Sequence, residues 1–322
     1  MNLSQKRLLH DCKEITKNPL HSSGIYHEWD ADNIYHVRAL IFGPDETPYQ
    51  HGAYFFDVTF TDKFPFAPPK VKFMTLDGLV RFNPNLYVCG KVCLSILGTW
   101  SGPGWTSVQN ISSILLSIQT LLNYHPIQNE PGFETVTGKK SKDYNNMLEH
   151  ANIRLATLAM IKNPPPGFEC FKEVLVKNFF QHYDSFLQTC QVNTKKPWDN
   201  MTVKAPIYSW NEKYRYTLQS KKLTQLYQEL QTHYPAIYTA VNKDTVTTEA
   251  KNEVVSHLKD QQKTTKKIHR TKRKAPTLPA KQFEVGYTMI SDNSTDKYLV
   301  ALNKNMVKRW QKIPSTLTVK VV

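Results

Sequence analysis

The chain has 322 residues, 40% of them hydrophobic, which is enough apolar side chain for one core and a second region and excludes a disordered polymer. Its 41 Lys/Arg against 27 Asp/Glu give a net charge of +14. The excess is uneven: residues 1–150 carry 13 basic and 14 acidic side chains, residues 151–322 carry 28 and 13, so only the second part is suited to an acidic protein, nucleic acid or anionic lipid.

The opening "MNLSQKRLLHDCKEI" has no apolar h-region, so no secretory signal is expected. The most apolar stretch, "ISSILLSIQTLL", is short and broken by Ser and Gln, so no membrane span or membrane partner is expected either. Five cysteines (Cys12, Cys89, Cys93, Cys170, Cys190) are an odd number. They point to free thiols in a reducing compartment, cytoplasmic or nuclear.

Ser4 is placed to cap a first helix reaching about Lys17, with Leu8, Leu9, Cys12 and Ile15 as its apolar stripe. Strand-like runs follow at 34–43, 52–60 and 70–74. The second alternates Tyr54, Phe56, Val58 and Phe60 on one side, and the third follows the proline-rich "FPFAPP". A helix with a core-facing stripe is predicted at Ile111, Ile114, Leu115, Ile118, Leu121 and Leu122, and further helices at about 141–162, 169–190 and 216–234. Residues 191–214 read as a connecting segment, so the periodicity that builds a core is expected to end near residue 190. Residues 242–282 hold 11 Lys/Arg against 4 Asp/Glu and read as a flexible linker. Residues 283–312 suggest two or three short strands. No internal repeat is visible.

Between the strands and the helix at 111 stands "NPNLYVCGKVCLSILGTW", with Cys89 and Cys93 four positions apart. No second Cys or His pair stands at such spacing, which argues against zinc, and a reducing compartment argues against a disulfide. Packed thiols or a reactive one remain.

The order helix, strand meander, "RFNPN", "GKVCLSIL", amphipathic helix and "NEPGFE" resembles the ubiquitin-conjugating enzymes over about residues 4–160. The family usually has His-Pro-Asn where this chain has Asn83-Pro84-Asn85, and its active cysteine stands eight residues after the motif asparagine, at Cys93. The resemblance implies an α+β, UBC-like fold: an N-terminal helix, a four-stranded antiparallel meander and C-terminal helices. A basic C-terminal extension with a small β-rich module follows. The division implied is a catalytic core at 1–165, a helical extension at 166–240, a basic linker at 241–282 and a module of unassigned role at 283–322. Asn83 for His, the long "GTWSGPGW" and the extra helices to Cys190 resemble the large, C-terminally extended Z type and the conjugating domains of giant inhibitor-of-apoptosis proteins.

The resemblance implies that Cys93 accepts ubiquitin or a ubiquitin-like protein from an activating enzyme and passes it to a lysine, with Cys89 a bystander. Asn85 would stabilise the oxyanion, or brace its own turn. Glu130 would orient the incoming lysine, unless it is a solvated loop charge. His125 is the weaker alternative base, and Asn83 has a structural role. Lys6 and Arg7 match positions that meet the activating enzyme, and Phe66 and Trp105 match positions that meet a ubiquitin ligase. Thr106-Ser107-Val108 departs from the usual Ser-Pro-Ala of that second loop. No phosphate loop accompanies "GPG" at 102–104, so neither ATP hydrolysis nor any cofactor or metal is expected. A non-enzymatic ubiquitin-binding variant is the competing reading; an intact cysteine motif argues against it.

"KKIHRTKRK", 266–274, holds six Lys/Arg in nine residues, a candidate contact for nucleic acid or an acidic partner, or a nuclear import signal, with a solvated linker as the plain alternative. Replacing Lys266, Lys267, Arg270, Lys272, Arg273 and Lys274 with Gln is expected to remove salt-sensitive retention on nucleic acid or nuclear accumulation. Unchanged retention and location in the variant would identify a linker.

Overall fold

The computed structural model describes residues 1–243 and the strand segments 288–290, 297–302 and 308–312; the basic segment 266–274 lies outside them. Two compact units are present, Met1–Asp244 and Thr245–Val322.

The first unit opens with α1 (Leu3–Lys17). Asn2, not Ser4, is its cap: Asn2 Oδ1 accepts the Gln5 N–H at 2.8 Å and Gln5 Oε1 accepts the Asn2 N–H at 3.0 Å. Ser4 is buried one turn in, where its hydroxyl donates to the Thr61 carbonyl at 3.0 Å. The meander is β1 (Ile25–Trp29), β2 (His36–Phe42), β3 (Ala53–Thr59) and β4 (Lys70–Phe73), antiparallel in the order β1-β2-β3-β4. After it come α2 (Ile111–Gln119) and α3 (Gly138–Ala151), which runs through a π-helical stretch, Asn152–Ala159, into α4 (Met160–Lys162). Then follow α5 (Lys172–Thr194), the hairpin β5 (Thr202–Lys204) and β6 (Asn211–Lys213), and α6 (Tyr216–His233). The described part of the second unit is the antiparallel sheet β7 (Thr288–Ile290), β8 (Lys297–Leu302) and β9 (Lys308–Lys312).

Alternation along β3 is weaker than one covered face requires, because Ala53, Tyr54, Phe55 and Phe56 are all buried. Successive side chains leave opposite faces of a strand, so both faces are covered here. Tyr54 and Phe56 meet Phe73 at 6.4 and 5.3 Å between ring centres, and Phe55 meets Phe168 at 5.2 Å, from the segment leading into α5. The helical extension therefore seals the sheet.

The expected end of the core near residue 190 is corrected on the same ground. Trp210, Tyr214, Tyr216, Leu223, Leu226 and Leu230 are buried in the cluster that holds Leu8 and Ile114. Residues 191–214, expected as a connection, contain the hairpin β5–β6. Its Glu212 is buried and accepts from Arg154 at 2.8 Å and from His150 Nδ1 at 2.7 Å. The Arg215 N–H donates to His150 Nε2 at 2.9 Å, which leaves the ring proton on Nδ1, facing Glu212. Burial pushes the Glu212 carboxyl up, but these hydrogen bonds outweigh it and hold the group below its usual range.

Two further contacts tie the corner before β3 to α5 and to the π-helical stretch. The His51 and His182 rings stack 3.6 Å apart, and burial, with His51 as neighbour, lowers His182 to about 4. Asn152 Oδ1 accepts the Tyr54 hydroxyl at 2.7 Å while its Nδ2 donates to the Gln50 carbonyl at 3.0 Å. A Cβ at Gly52 would lie 1.8 Å from that same Oδ1.

One shared core predicts one unfolding transition for residues 1–243. Leu223→Ala, at a position with no exposed surface, should destabilise it by about 2–5 kcal/mol and shift the whole curve in a denaturant titration. A separate early transition, with the main one unmoved, would mean that α6 unfolds independently.

Candidate active site

The turn carrying the two cysteines is built around Gly90. Its φ of +90° is open to glycine, and a Cβ there would stand 2.9 Å from the Phe73 carbonyl oxygen and from Lys72 Cγ. The Gly90 N–H donates to Tyr87 O at 2.8 Å, and Gly90 O accepts the Phe73 N–H at 2.8 Å, pinning the turn against β4. This geometry separates the cysteines. Cys89 is exposed at the tip of the turn, whereas Cys93 is 2% exposed beyond it. Both are free thiols.

Asn85 clasps Cys93 from both sides of its peptide. Asn85 O accepts the Cys93 N–H at 2.9 Å, and Asn85 Nδ2 donates to Cys93 O at 2.8 Å. Asn85 is itself 5% exposed, with its Oδ1 buried and unpartnered among the described residues. The asparagine is held by Asn83, whose Oδ1 accepts the Asn85 N–H at 2.9 Å and Asn129 Nδ2 at 3.2 Å. Asn83 Nδ2 donates to Leu121 O at 2.7 Å and to the Tyr49 hydroxyl oxygen at 3.2 Å. Asn83 thus ties the turn to the end of α2 and to the loop after it.

Asn85 and Cys93 line a groove of about 340 Å³ with Trp100, Leu121, Gln128, Asn129, Pro131 and Glu134. Glu130 is not in that lining: its Oε2 accepts the hydroxyl of Tyr208, on the hairpin of the extension. The groove's carboxylate is Glu134, four residues on in "NEPGFE", and the N–H groups of Glu134 and Gly132 hold it below the ordinary range. Sequence reasoning passed over Glu134 and Asn129; the signal available was that both flank the Glu-Pro step of a segment already singled out. His125 is exposed, with its ring against Tyr124, and is outside the groove.

The positions expected to meet partners lie apart from the groove. Lys6 is exposed. Arg7 is engaged within the chain: it pairs with Asp11 at 2.8 Å and donates to Ser107 O and Gln109 O at 2.6 and 2.7 Å. Phe66 is 73% exposed. Trp105, half-buried, donates through Nε1 to Pro65 O at 2.6 Å, which joins the two loops. Among the described residues no group of three or more His, Cys, Asp or Glu is placed to hold a metal ion, and no helix is long and apolar enough to cross a membrane.

A four-stranded meander flanked by helices, followed by a groove that holds an Asn-clasped cysteine, makes this an α+β domain. Residues 7–156, a little under half of the chain, match the family model for the ubiquitin-conjugating enzyme. It is 42% identical over 187 residues to ubiquitin-conjugating enzyme E2 Z of Homo sapiens, covering 58% of this chain and 52% of that protein. It is 37% identical over 225 residues to the probable ubiquitin-conjugating enzyme protein 17 of Caenorhabditis elegans, covering 65% and 30%. It is 39% identical over 181 residues to the dual E2 ubiquitin-conjugating enzyme/E3 ubiquitin-protein ligase BIRC6 of Homo sapiens, covering 53% and 4%. The chain spans about half the length of the E2 Z relative.

Asn83→Ala would leave Leu121 O, the Tyr49 hydroxyl, the Asn85 N–H and Asn129 Nδ2 without this partner in a buried place. Loss of about 1–3 kcal/mol or more is expected in chemical denaturation, since each orphaned buried group carries a penalty of that order. A loss below about 0.5 kcal/mol would mean that the turn does not depend on this amide.

Proposed function

We propose that the chain accepts ubiquitin, or a ubiquitin-like protein, as a thioester on Cys93 and transfers it to a substrate lysine. The observation that carries this reading is the two-sided clasp between Asn85 and Cys93 at the floor of a groove. In charging, the Cys93 thiolate attacks the carbonyl of the thioester on the activating enzyme, and that enzyme's cysteine leaves as a thiolate. In discharge, a lysine amine attacks the Cys93 thioester to form a tetrahedral oxyanion. The nitrogen loses a proton, the C–S bond breaks, and Cys93 departs as a thiolate while an amide forms.

Asn85 Nδ2 carries two protons and spends one on Cys93 O. The second is available to the oxyanion, so bracing and stabilisation fall to one amide. Glu130 and Glu134 place two carboxylates on the loop beside the groove, where they favour an approaching lysine and its loss of a proton. Lys6 and Arg7 are the contacts for the activating enzyme; Arg7's three internal bonds give it a second role, setting the loop at Ser107–Gln109. Phe66 and Trp105 form the ligase-facing surface.

Mixing the chain with a panel of activating enzymes and ubiquitin-like proteins should give an adduct that a reductant cleaves on gels. Cys93→Ala should abolish it and Cys89→Ala should leave it; the opposite pattern overturns the assignment. Asn85→Ala should charge but discharge to free lysine about 10²–10³-fold more slowly. Equal loss in both steps would reduce Asn85 to a turn brace.

A further inference from the structure

The hairpin of the extension ends in a group that the conjugating reaction does not explain. Tyr208, between β5 and β6, has a φ of +65°, a left-handed conformation that an aromatic residue adopts at a cost. Its ring lies 3.9 Å from the Arg81 guanidinium, which also meets the Tyr87 ring at 3.8 Å. Its hydroxyl donates to Glu130 Oε2. Burial, reinforced by that carboxylate, raises the Tyr208 hydroxyl far above its ordinary range, so it stays a donor.

Both partners lead to the groove. Arg81 Nη2 donates to Pro84 O at 2.6 Å, inside the Asn83-Pro84-Asn85 turn, and Arg81 O accepts the Tyr144 hydroxyl at 2.9 Å. Arg81 Nε is buried and unpartnered among the described residues, so the guanidinium is held by its two rings and by Pro84 O. Glu130 directly precedes Pro131, a wall of the groove, and its carbonyl accepts the Phe133 N–H at 2.9 Å, closing the turn that presents Glu134. One side chain thus braces the turn with Asn85 on one side of the groove and the acidic loop on the other. Its neighbours on the hairpin, Ile207 and Trp210, are buried in the shared core, so the tip is anchored from below.

We propose that Tyr208 is a positioning residue for lysine transfer, setting the Glu130 carboxylate and, through Arg81, the Asn85 turn, so that the C-terminal extension is part of the discharging enzyme. This rests on the conjugating function proposed above. The Tyr208 hydroxyl fills one carboxylate oxygen of Glu130 and leaves Oε1 free for the lysine ammonium among the described residues. Without the hydroxyl, the carboxylate can turn away, and the amine meets it less often in reacting geometry.

The test uses the full chain, charged with whichever ubiquitin-like protein the wild type accepts. The thioester is isolated before discharge to free lysine is timed, so charging and transfer are read separately. Tyr208→Phe keeps the ring on Arg81 and removes the hydroxyl. Discharge should slow about tenfold, the worth of one hydrogen bond to a charged group, with the pH–rate profile displaced. In a Glu130→Gln background the same substitution should have less than about a third of that effect, since the two act through one contact. Tyr208→Leu, which also strips the ring from Arg81, should slow discharge further. Discharge by Tyr208→Phe at the wild-type rate and pH profile, or an equal effect with and without Glu130, overturns the inference. A wild-type chain that never charges overturns the function itself, and the inference falls with it.

Discussion

The groove depends on one buried amide. Asn83 has no exposed surface, and its side chain engages two donors and two acceptors from four parts of the chain. A primary amide offers two protons and two lone pairs, so every capacity of Asn83 is used. A neutral imidazole, which the family usually places here, offers one donor and one acceptor. The amide therefore gathers Asn129 and the end of α2 in a way that a histidine could do only in part. Asn85 and Cys93 inherit their positions from that arrangement.

The second constraint is the sealed sheet. An antiparallel sheet can leave one face to water, but Phe55 lies between Leu40 across the ladder and Phe168 and Phe171 from the extension. Removing the extension would expose aromatic surface on the sheet and strand Glu212's partners, His150 and Arg154. Core and extension share one hydrophobic cluster, and the hairpin tip reaches Glu130 and Arg81 beside the groove.

The sequence made some of this legible and hid the rest for physical reasons. The family resemblance pointed to Cys93, and periodicity placed α2 and α5, because these signals are local. The "AYFF" run at β3 was read as a one-sided strand, although its unbroken apolar character is what two covered faces require. Asn2 rather than Ser4 caps α1, because Ser4 finds a buried partner 57 residues away that no local rule supplies. The hairpin at 202–213 was missed because its strands are three residues each and mostly polar. Glu130's partner lies 78 residues distant, so a loop carboxylate looked the same whether solvated or held. Arg7's hold on the loop at Ser107–Gln109 was hidden because its carbonyl acceptors lie about 100 residues on.

Gly52 shows how tightly these pieces are bound in descent. The space a side chain would need there is taken by the Asn152 carboxamide, which also caps Tyr54. Any side chain at 52 would require a different residue at 152, and then another partner for Tyr54. Such linked changes are hard to reach one substitution at a time. A meander borrowed from a relative with a bulkier residue at this corner would reject this π-helical stretch, and a chimera between two such relatives would succeed only if the corner and that stretch travelled together.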